Sequence, residues 1–230
     1  MRKKNILIIG GSSKVGQMVI SRLDRKKYNI YCTFNKTKIK DTKIKSFKVN
    51  LGNLRNAENF IDKIKKLKIK IDTMIFLQGK IHAKNLDKYD NKKILELFNI
   101  NLISTILLIK RLHNIFNKNS LVIFISSISA VKGSYDSIYS ASKSALLGFS
   151  KSLSIWLAPK TKFISICPGP INNTKMMDQF SKRRKNYHIL NNPNKELLNP
   201  DDFSKIIIDI LSPHWRHANG SIININGGIY

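Results

Sequence analysis

The sequence predicts a single doubly wound α/β domain with a parallel sheet of about seven strands. Short runs rich in β-branched and aromatic residues alternate with helix-length segments along all 230 residues. No Pro-, Gly- or Ser-rich linker divides the chain, and the sequence contains no internal repeat. Strands that alternate with helices are joined by crossover connections, and crossover connections produce parallel sheets. We therefore expect one sheet with helices on both faces.

Seven segments have the composition of buried strands. They are Asn5 to Ile9, Asn29 to Phe34, Lys45 to Val49, Thr73 to Leu77, Leu121 to Ser126, Lys162 to Ile166 and Ser221 to Ile225. Between them apolar residues recur at helical spacing, as in Phe60, Ile61 and Ile64. A polar segment with poor periodicity, from about 174 to 200, interrupts this pattern before the last strand.

The charge balance is strongly basic, with 41 Lys and Arg against 14 Asp and Glu and a net charge of +27. The lysines are spread from Lys3 to Lys205, which argues against a dedicated nucleic-acid stripe. The codon bias of a low-GC genome explains such a composition without a function. We therefore expect no specific nucleic-acid binding.

Cysteine use and hydropathy indicate a cytoplasmic protein. Cys32 and Cys167 lie in apolar segments without metal-ligand spacing, so we expect two buried thiols in a reducing compartment. The five histidines have no metal spacing either, and no metal site is expected. Every apolar run is far shorter than the roughly 18 residues of a membrane span. The basic start of the chain is followed by too short an apolar stretch for a signal peptide.

A glycine-containing turn follows the first strand, and it leads into a helix that we expect to begin at Gln17. Its candidate binding residues are Gly10, Ser12, Ser13, Lys14, Val15 and Gly16. Glycines at such a turn let the backbone approach a pyrophosphate, which then lies at the helix N-terminus. Lys14 stands where a dinucleotide fingerprint normally has another glycine. A glycine turn without a ligand is the alternative interpretation.

The end of the second strand favours NADP over NAD. An acidic residue there would bind the adenosine ribose and repel a 2′-phosphate, but no carboxylate occurs before Asp41. Lys36 and Lys38, with Ser13 and Lys14 of the glycine turn, could instead neutralise that phosphate. The alternative is that almost any short window of this chain contains a lysine.

A phenol and an ammonium group are candidate catalytic groups. Tyr139 and Lys143 are four residues apart on a predicted helix from Tyr139 to Leu157 and share one face. A tyrosine can exchange protons near neutral pH if its pKa is lowered from about 10, and a nearby lysine favours that shift. Tyr89 and Lys93 have the same spacing. Only Tyr139 follows a strand that ends in serines, Ser126 and Ser127.

With these motifs in this order, the chain resembles the short-chain dehydrogenase/reductase family over nearly its whole length. The resemblance implies a Rossmann domain, a homo-oligomer (dimer or tetramer) and hydride transfer between a nicotinamide cofactor and a small carbonyl or alcohol substrate. It implies four catalytic residues: Asn101, Ser127, Tyr139 and Lys143. Ser127, with Ser126 as the fallback, would bind the carbonyl. Tyr139 would protonate it, Lys143 would lower the tyrosine pKa and bind the ribose, and Asn101 would hold a water.

The resemblance also implies the cofactor contacts. They are Gly10, Ser12, Ser13, Lys14, Val15, Gly16, Asn35, Lys36, Asn50, Leu51, Gln78, Gly79, Tyr139, Lys143, Pro168, Gly169 and Ile171. The closing run from Ile223 to Gly228 resembles the family's C-terminal signature. Three positions depart from the family pattern, since Gln78 stands within its asparagine-rich motif, Asn50 replaces an aspartate and Ile9 replaces a threonine.

The expected function is that of an NADP-dependent carbonyl reductase or alcohol dehydrogenase. One alternative is a 3-oxoacyl-carrier-protein reductase, because a basic surface attracts an acidic carrier. An alternative of another class is a catalytically idle scaffold that binds nucleic acid. In the family the 174–200 segment forms a lid over the substrate. Here residues 181–185 include Arg183 and Arg184, and we expect this basic run to recognise an anionic substrate.

Overall fold

A computed structural model describes residues 2–229, and the sheet in this part of the chain has seven parallel strands. They are β1 (Lys4–Ile9), β2 (Tyr28–Phe34), β3 (Lys45–Lys48), β4 (Ile71–Phe76), β5 (Phe116–Ile125), β6 (Thr161–Pro168) and β7 (Ile222–Ile225). The order across the sheet is β3-β2-β1-β4-β5-β6-β7. The predicted doubly wound Rossmann fold with about seven strands is confirmed.

Eight α-helices flank the sheet within the described residues. They are α1 (Lys14–Arg22), α2 (Leu54–Lys66), α3 (Asn91–Phe98), α4 (Ser104–Leu112), α5 (Ser129–Lys132), α6 (Ser137–Trp156), α7 (Lys182–Leu190) and α8 (Pro200–Asp209). Alternate residues of β1 point to opposite faces: Leu7 and Ile9 pack with α2, α4 and α6, whereas Ile6 and Ile8 pack with α1 and α8. Two apolar cores therefore sandwich the sheet.

Capping residues set the starts of the two helices that border the candidate site. The α1 helix begins at Lys14, three residues before the predicted Gln17, because the Ser13 side chain accepts a hydrogen bond from the Gly16 amide at 3.0 Å. The α6 helix begins at Ser137, two residues before the predicted start at Tyr139. Asp136 caps it. The apolar periodicity used for the prediction does not include these polar first turns.

The strand order reverses between β1 and β4, and this reversal opens a crevice at their carboxyl ends. Gly10 ends β1 with a φ of +84°, a left-handed conformation that favours glycine. A Cβ atom at Gly10 would lie 2.8 Å from the Gln78 amide nitrogen, beyond the end of β4. The close approach of these two strand ends therefore requires a glycine here.

A buried carboxylate joins the first turn of α6 to the loop before α3. Asp136 accepts hydrogen bonds from the Tyr139 amide at 3.0 Å and from the Tyr89 hydroxyl at 2.7 Å. Tyr89 is therefore a structural partner of α6, while Lys93 pairs with Asp90. The second tyrosine–lysine match of the sequence thus has a structural explanation.

Two absences hold for residues 2–229. No helix in that range has both the length and the apolar character needed to cross a bilayer. The same residues contain no group of three His, Cys, Asp or Glu side chains that could hold a metal ion.

Replacing Asp136 with Ala removes a helix cap and leaves the Tyr89 hydroxyl without its acceptor. We expect the free energy of unfolding to fall by about 2 kcal/mol or more, since a cap contributes about 1 kcal/mol and a hydrogen bond to a charged group about 1.5–3 kcal/mol. Asp90→Ala is the matched control, because Asp90 caps α3 at an exposed position. Urea denaturation at neutral pH measures both losses, and equal losses would contradict a role of Asp136 beyond capping.

Candidate active site

One cavity of about 1490 Å³ lies at the carboxyl ends of the strands. Its walls include every residue named above as a catalytic or cofactor-binding candidate except Gly16, Lys38 and Asn101. The cavity extends from the glycine turn after β1, past the end of β5, to the 174–200 segment. A cavity of this size and polarity can hold a dinucleotide together with a small substrate.

Gly16 and Asn101 lie behind the cavity wall and support it. Gly16 packs on Gly11, whose carbonyl oxygen would lie 2.6 Å from a Cβ atom at position 16, so the α1 helix can approach the turn only with glycine there. Asn101 lies in a π-helical turn, Asn99–Ile103. Its side-chain amide donates to the Lys80 carbonyl oxygen at 3.0 Å and to the Ser142 hydroxyl at 2.9 Å. The side-chain oxygen of Asn101 accepts a hydrogen bond from the Lys80 amide at 2.8 Å.

A reciprocal pair of hydrogen bonds fixes α6 to the end of β5. The Lys143 ammonium donates to the Ile125 carbonyl oxygen at 2.8 Å, and the Ser126 hydroxyl donates to the Lys143 carbonyl oxygen at 2.8 Å. Ser126 is thus bound to the helix backbone. The Ser127 hydroxyl instead accepts from the Ser129 amide at 3.1 Å and interacts with the Tyr139 phenol, lowering its pKa. Of the two serines, the geometry favours Ser127 as the group beside the phenol.

Burial controls the electrostatics of the tyrosine and the lysine. It raises the pKa of Tyr139 to about 12, an effect that the nearby Ser127 hydroxyl only partly offsets. It also lowers the pKa of Lys143 to about 8, because the ammonium is taken out of water. Desolvation is the largest effect on the tyrosine pKa in this structure, and a lowering of that pKa by Lys143 stays a prediction. The phenol is protonated at neutral pH.

The half of the cavity near the glycine turn has the features of a dinucleotide site. The Gly10 amide donates to the Thr33 hydroxyl at 2.9 Å, which links the turn to β2. Lys14 and Lys36 line this half and Lys38 does not, while Asp41 is paired with Arg25 at 2.8 Å. The side-chain oxygen of Gln78 is buried and has no hydrogen-bond partner among the described residues. A narrow glycine cradle, two lysines and a free acceptor fit a nicotinamide dinucleotide.

The 174–200 segment forms the wall opposite the glycine turn. The sulfur of Met176 lies 3.9 Å from the Tyr139 hydroxyl, and Phe180, Arg184 and His188 continue the wall. The basic run of residues 181–185 lies at the start of helix α7. Its two arginines face different surroundings, since Arg183 is exposed and Arg184 lines the cavity.

Sequence reasoning missed Thr33, Asp136 and Met176 as site residues. Thr33 and Asp136 are single polar residues at the end of a strand and at the start of a helix. Capping preferences could have identified Asp136, because Asp is a preferred cap before a helix. No local pattern in the sequence marks Met176.

Known proteins provide independent comparisons. The sequence model of a protein family described as enoyl-(acyl carrier protein) reductase matches residues 17–230. The 3-oxoacyl-[acyl-carrier-protein] reductase FabG of Buchnera aphidicola subsp. Schizaphis graminum is 28% identical, and the alignment covers 100% of this chain and 98% of that protein.

Solved structures have the same fold. A short chain dehydrogenase family protein from Francisella tularensis superposes with a TM-score of 0.91 at 22% identity, covering 99% of each chain. A short chain dehydrogenase from Burkholderia cenocepacia, solved in complex with NADP, has a TM-score of 0.85 at 20% identity and covers 98% of this chain and 97% of its own. The family match extends over nearly the whole chain and includes the tyrosine, the lysine and the serine of the cavity. The chain belongs to the short-chain dehydrogenase/reductase family of oxidoreductases.

Proposed function

We propose that this oxidoreductase reduces a small carbonyl compound to the alcohol, with Tyr139 as the proton donor. The observation that carries the proposal is the buried Tyr139 phenol, which lines the same cavity wall as Ser127 and Lys143. A tyrosine whose pKa is raised to about 12 holds its proton at neutral pH. A raised pKa also makes the phenol a weaker acid, so proton transfer in either direction needs a nearby positive charge that lowers this pKa towards neutrality.

In this mechanism the side chains divide the tasks of binding, orientation and proton transfer. The nicotinamide cofactor, when bound, supplies the hydride that adds to the carbonyl carbon. Ser127 donates a hydrogen bond that orients the carbonyl oxygen, and Tyr139 transfers its hydroxyl proton to that oxygen, so that the alcohol forms. The Lys143 ammonium lies on the same face of α6, stabilises the phenolate left behind and contributes to holding the cofactor ribose. Asn101 positions the Lys80 backbone and α6 through its three hydrogen bonds.

The proposed cofactor is NADP in preference to NAD. Its pyrophosphate would be held by the glycine turn and the N-terminus of α1, and its nicotinamide by Pro168, Gly169 and Ile171. Support for NADP comes from the cavity wall near β2, where Lys14 and Lys36 contribute positive charge and no acidic side chain is present among the described residues. The Burkholderia cenocepacia protein of the same fold was solved with NADP.

A second candidate function is the reduction of 3-oxoacyl groups on an acyl carrier protein. Support comes from the Buchnera aphidicola relative, which has that name and aligns with the whole chain. The basic composition of this chain would attract an acidic carrier. The idle nucleic-acid scaffold has no comparable support, because the groups needed for reduction line one cavity.

Three further expectations stay predictions. They are a cytoplasmic location, a homo-oligomer such as a tetramer, and one domain over 1–230 in which the 174–200 segment covers the substrate. The contact between Met176 and the Tyr139 hydroxyl supports the covering role.

Replacing Tyr139 with Phe tests the proton donor. We expect kcat to fall at least about a hundredfold, the usual contribution of a positioned general acid, while NADPH binding changes little. Tyr89→Phe is the matched control, since it removes a phenol that binds Asp136 outside the cavity wall. That variant should lose stability and keep its turnover. Similar kcat values for Tyr139→Phe and the unmodified enzyme would contradict the assignment.

Replacing Lys36 with Glu tests the cofactor preference. We expect the unmodified protein to bind NADPH more tightly than NADH, and Lys36→Glu to reduce the affinity ratio by about tenfold through loss of a charge-assisted contact. Lys38→Glu changes the net charge equally but lies outside the cavity wall, so it should leave the ratio nearly unchanged. Nicotinamide fluorescence titrations at physiological salt, which screens distant charges, measure both. Preference of the unmodified protein for NADH would overturn the NADP proposal.

A further inference from the structure

Three polar atoms without partners meet in the wall opposite the glycine turn. They are the Nε atom of Arg184, the Nε2 atom of His188 and the hydroxyl oxygen of Tyr135. Each is buried and has no hydrogen-bond partner among residues 2–229, and all three residues line the cavity that contains Tyr139. Buried polar groups are almost always paired in folded proteins. Three orphaned groups in one wall point to a ligand that pairs with them.

Aromatic rings fix the position of the Arg184 guanidinium. Its Cζ atom lies 3.1 Å above the ring centroid of Tyr135 and 5.4 Å from that of Phe180. Such cation–π contacts restrict the guanidinium without using its hydrogen-bond donors. Within the described chain the guanidinium makes neither a hydrogen bond nor an ion pair. The nearby Asp136 carboxylate is already bound by Tyr89 and by the first turn of α6.

The surrounding charges favour an anion. His188 lies with its ring centroid 5.6 Å from that of Phe180, and burial together with Arg184 and Lys132 lowers its pKa. A neutral imidazole presents one N–H donor, and an adjacent anion would satisfy it. Lys132 and Lys175 line the same part of the cavity, where Asp178 is an exposed carboxylate of the wall.

Two neighbouring arginines of helix α7 point to different surroundings. Arg183 is exposed to solvent, whereas Arg184 is half-buried and lines the cavity. The two residues carry the same charge and lie on the same helix. They differ because one side chain faces solvent and the other faces the cavity. A solvated helix face explains Arg183 and does not explain Arg184.

We propose that Arg184, together with Tyr135 and His188, binds an oxyanion carried by the carbonyl substrate, either a carboxylate or a phosphate. This inference rests on the proposed function, because the oxyanion belongs to the molecule that Tyr139 protonates. A guanidinium fork matches the two oxygens of a carboxylate or phosphate, and the phenol and imidazole add further donors. The subsite determines specificity and takes no part in proton or hydride transfer.

The test compares substrate pairs that differ in one charge. Acetoacetate and its methyl ester place a carboxylate close to the carbonyl, whereas the acetoacetyl thioesters of phosphopantetheine and pantetheine place a phosphate far from it. The pair with the larger charge effect identifies the source of the oxyanion. We expect Arg184→Ala to raise KM for the anionic member of that pair at least about tenfold, with little change for the neutral member or in kcat. Arg183→Ala should change neither.

Arg184→Lys separates geometry from charge, since lysine keeps the charge and loses the fork. We expect it to recover only part of the affinity. Equal KM changes for charged and neutral members, or no change in either pair, would overturn the inference and leave the proposed function intact. If the unmodified protein reduces none of the probes, the proposed function fails. Calorimetric binding of acetoacetyl-phosphopantetheine in the presence of NADPH then decides: binding lost in Arg184→Ala supports the subsite, and binding unaffected by that change overturns it.

Discussion

The reciprocal hydrogen bonds between Lys143 and the end of β5 are the constraint on which the candidate site depends. Both bonds are inaccessible to water, so breaking either would leave a buried ammonium or carbonyl group unpaired at considerable cost. They hold α6 in one position along the strand. The Tyr139 phenol and the Ser127 hydroxyl consequently come together on the same side of the cavity, although twelve positions of sequence separate them.

The same burial that secures this arrangement also determines its chemistry. Removing the phenol from water raises its pKa and keeps it protonated. Removing the Lys143 ammonium from water lowers its pKa to about 8. Desolvation alone therefore makes the phenol a weaker acid than a tyrosine in water. A positive charge brought close to the phenol would oppose the effect of desolvation and bring its pKa towards neutrality, where a tyrosine exchanges protons most readily in either direction of the reaction.

The sequence predicted the features that depend on local pattern and on motif order. The alternation of strands and helices predicted the sheet, and the family resemblance supplied the candidate site residues, most of which line the cavity. Features that arise from tertiary burial could not be predicted. The direction of the Tyr139 pKa shift, the contact of Met176 with that hydroxyl and the orientation of Arg184 each depend on which side chains surround a group. Helix starts were misjudged because Ser13 and Asp136 cap helices ahead of the apolar residues.

We expect the bound nicotinamide dinucleotide to transfer hydride to a carbonyl carbon within this cavity. The most direct measurement uses NADPH deuterated at both hydrogens of the nicotinamide carbon that gives up hydride. The protein is incubated with this cofactor and the 3-oxoacyl probes, and the alcohol product is analysed by mass spectrometry. We expect an alcohol with one deuterium on the former carbonyl carbon. An alcohol without deuterium, or no alcohol although the protein binds NADPH and a probe together, would contradict this expectation.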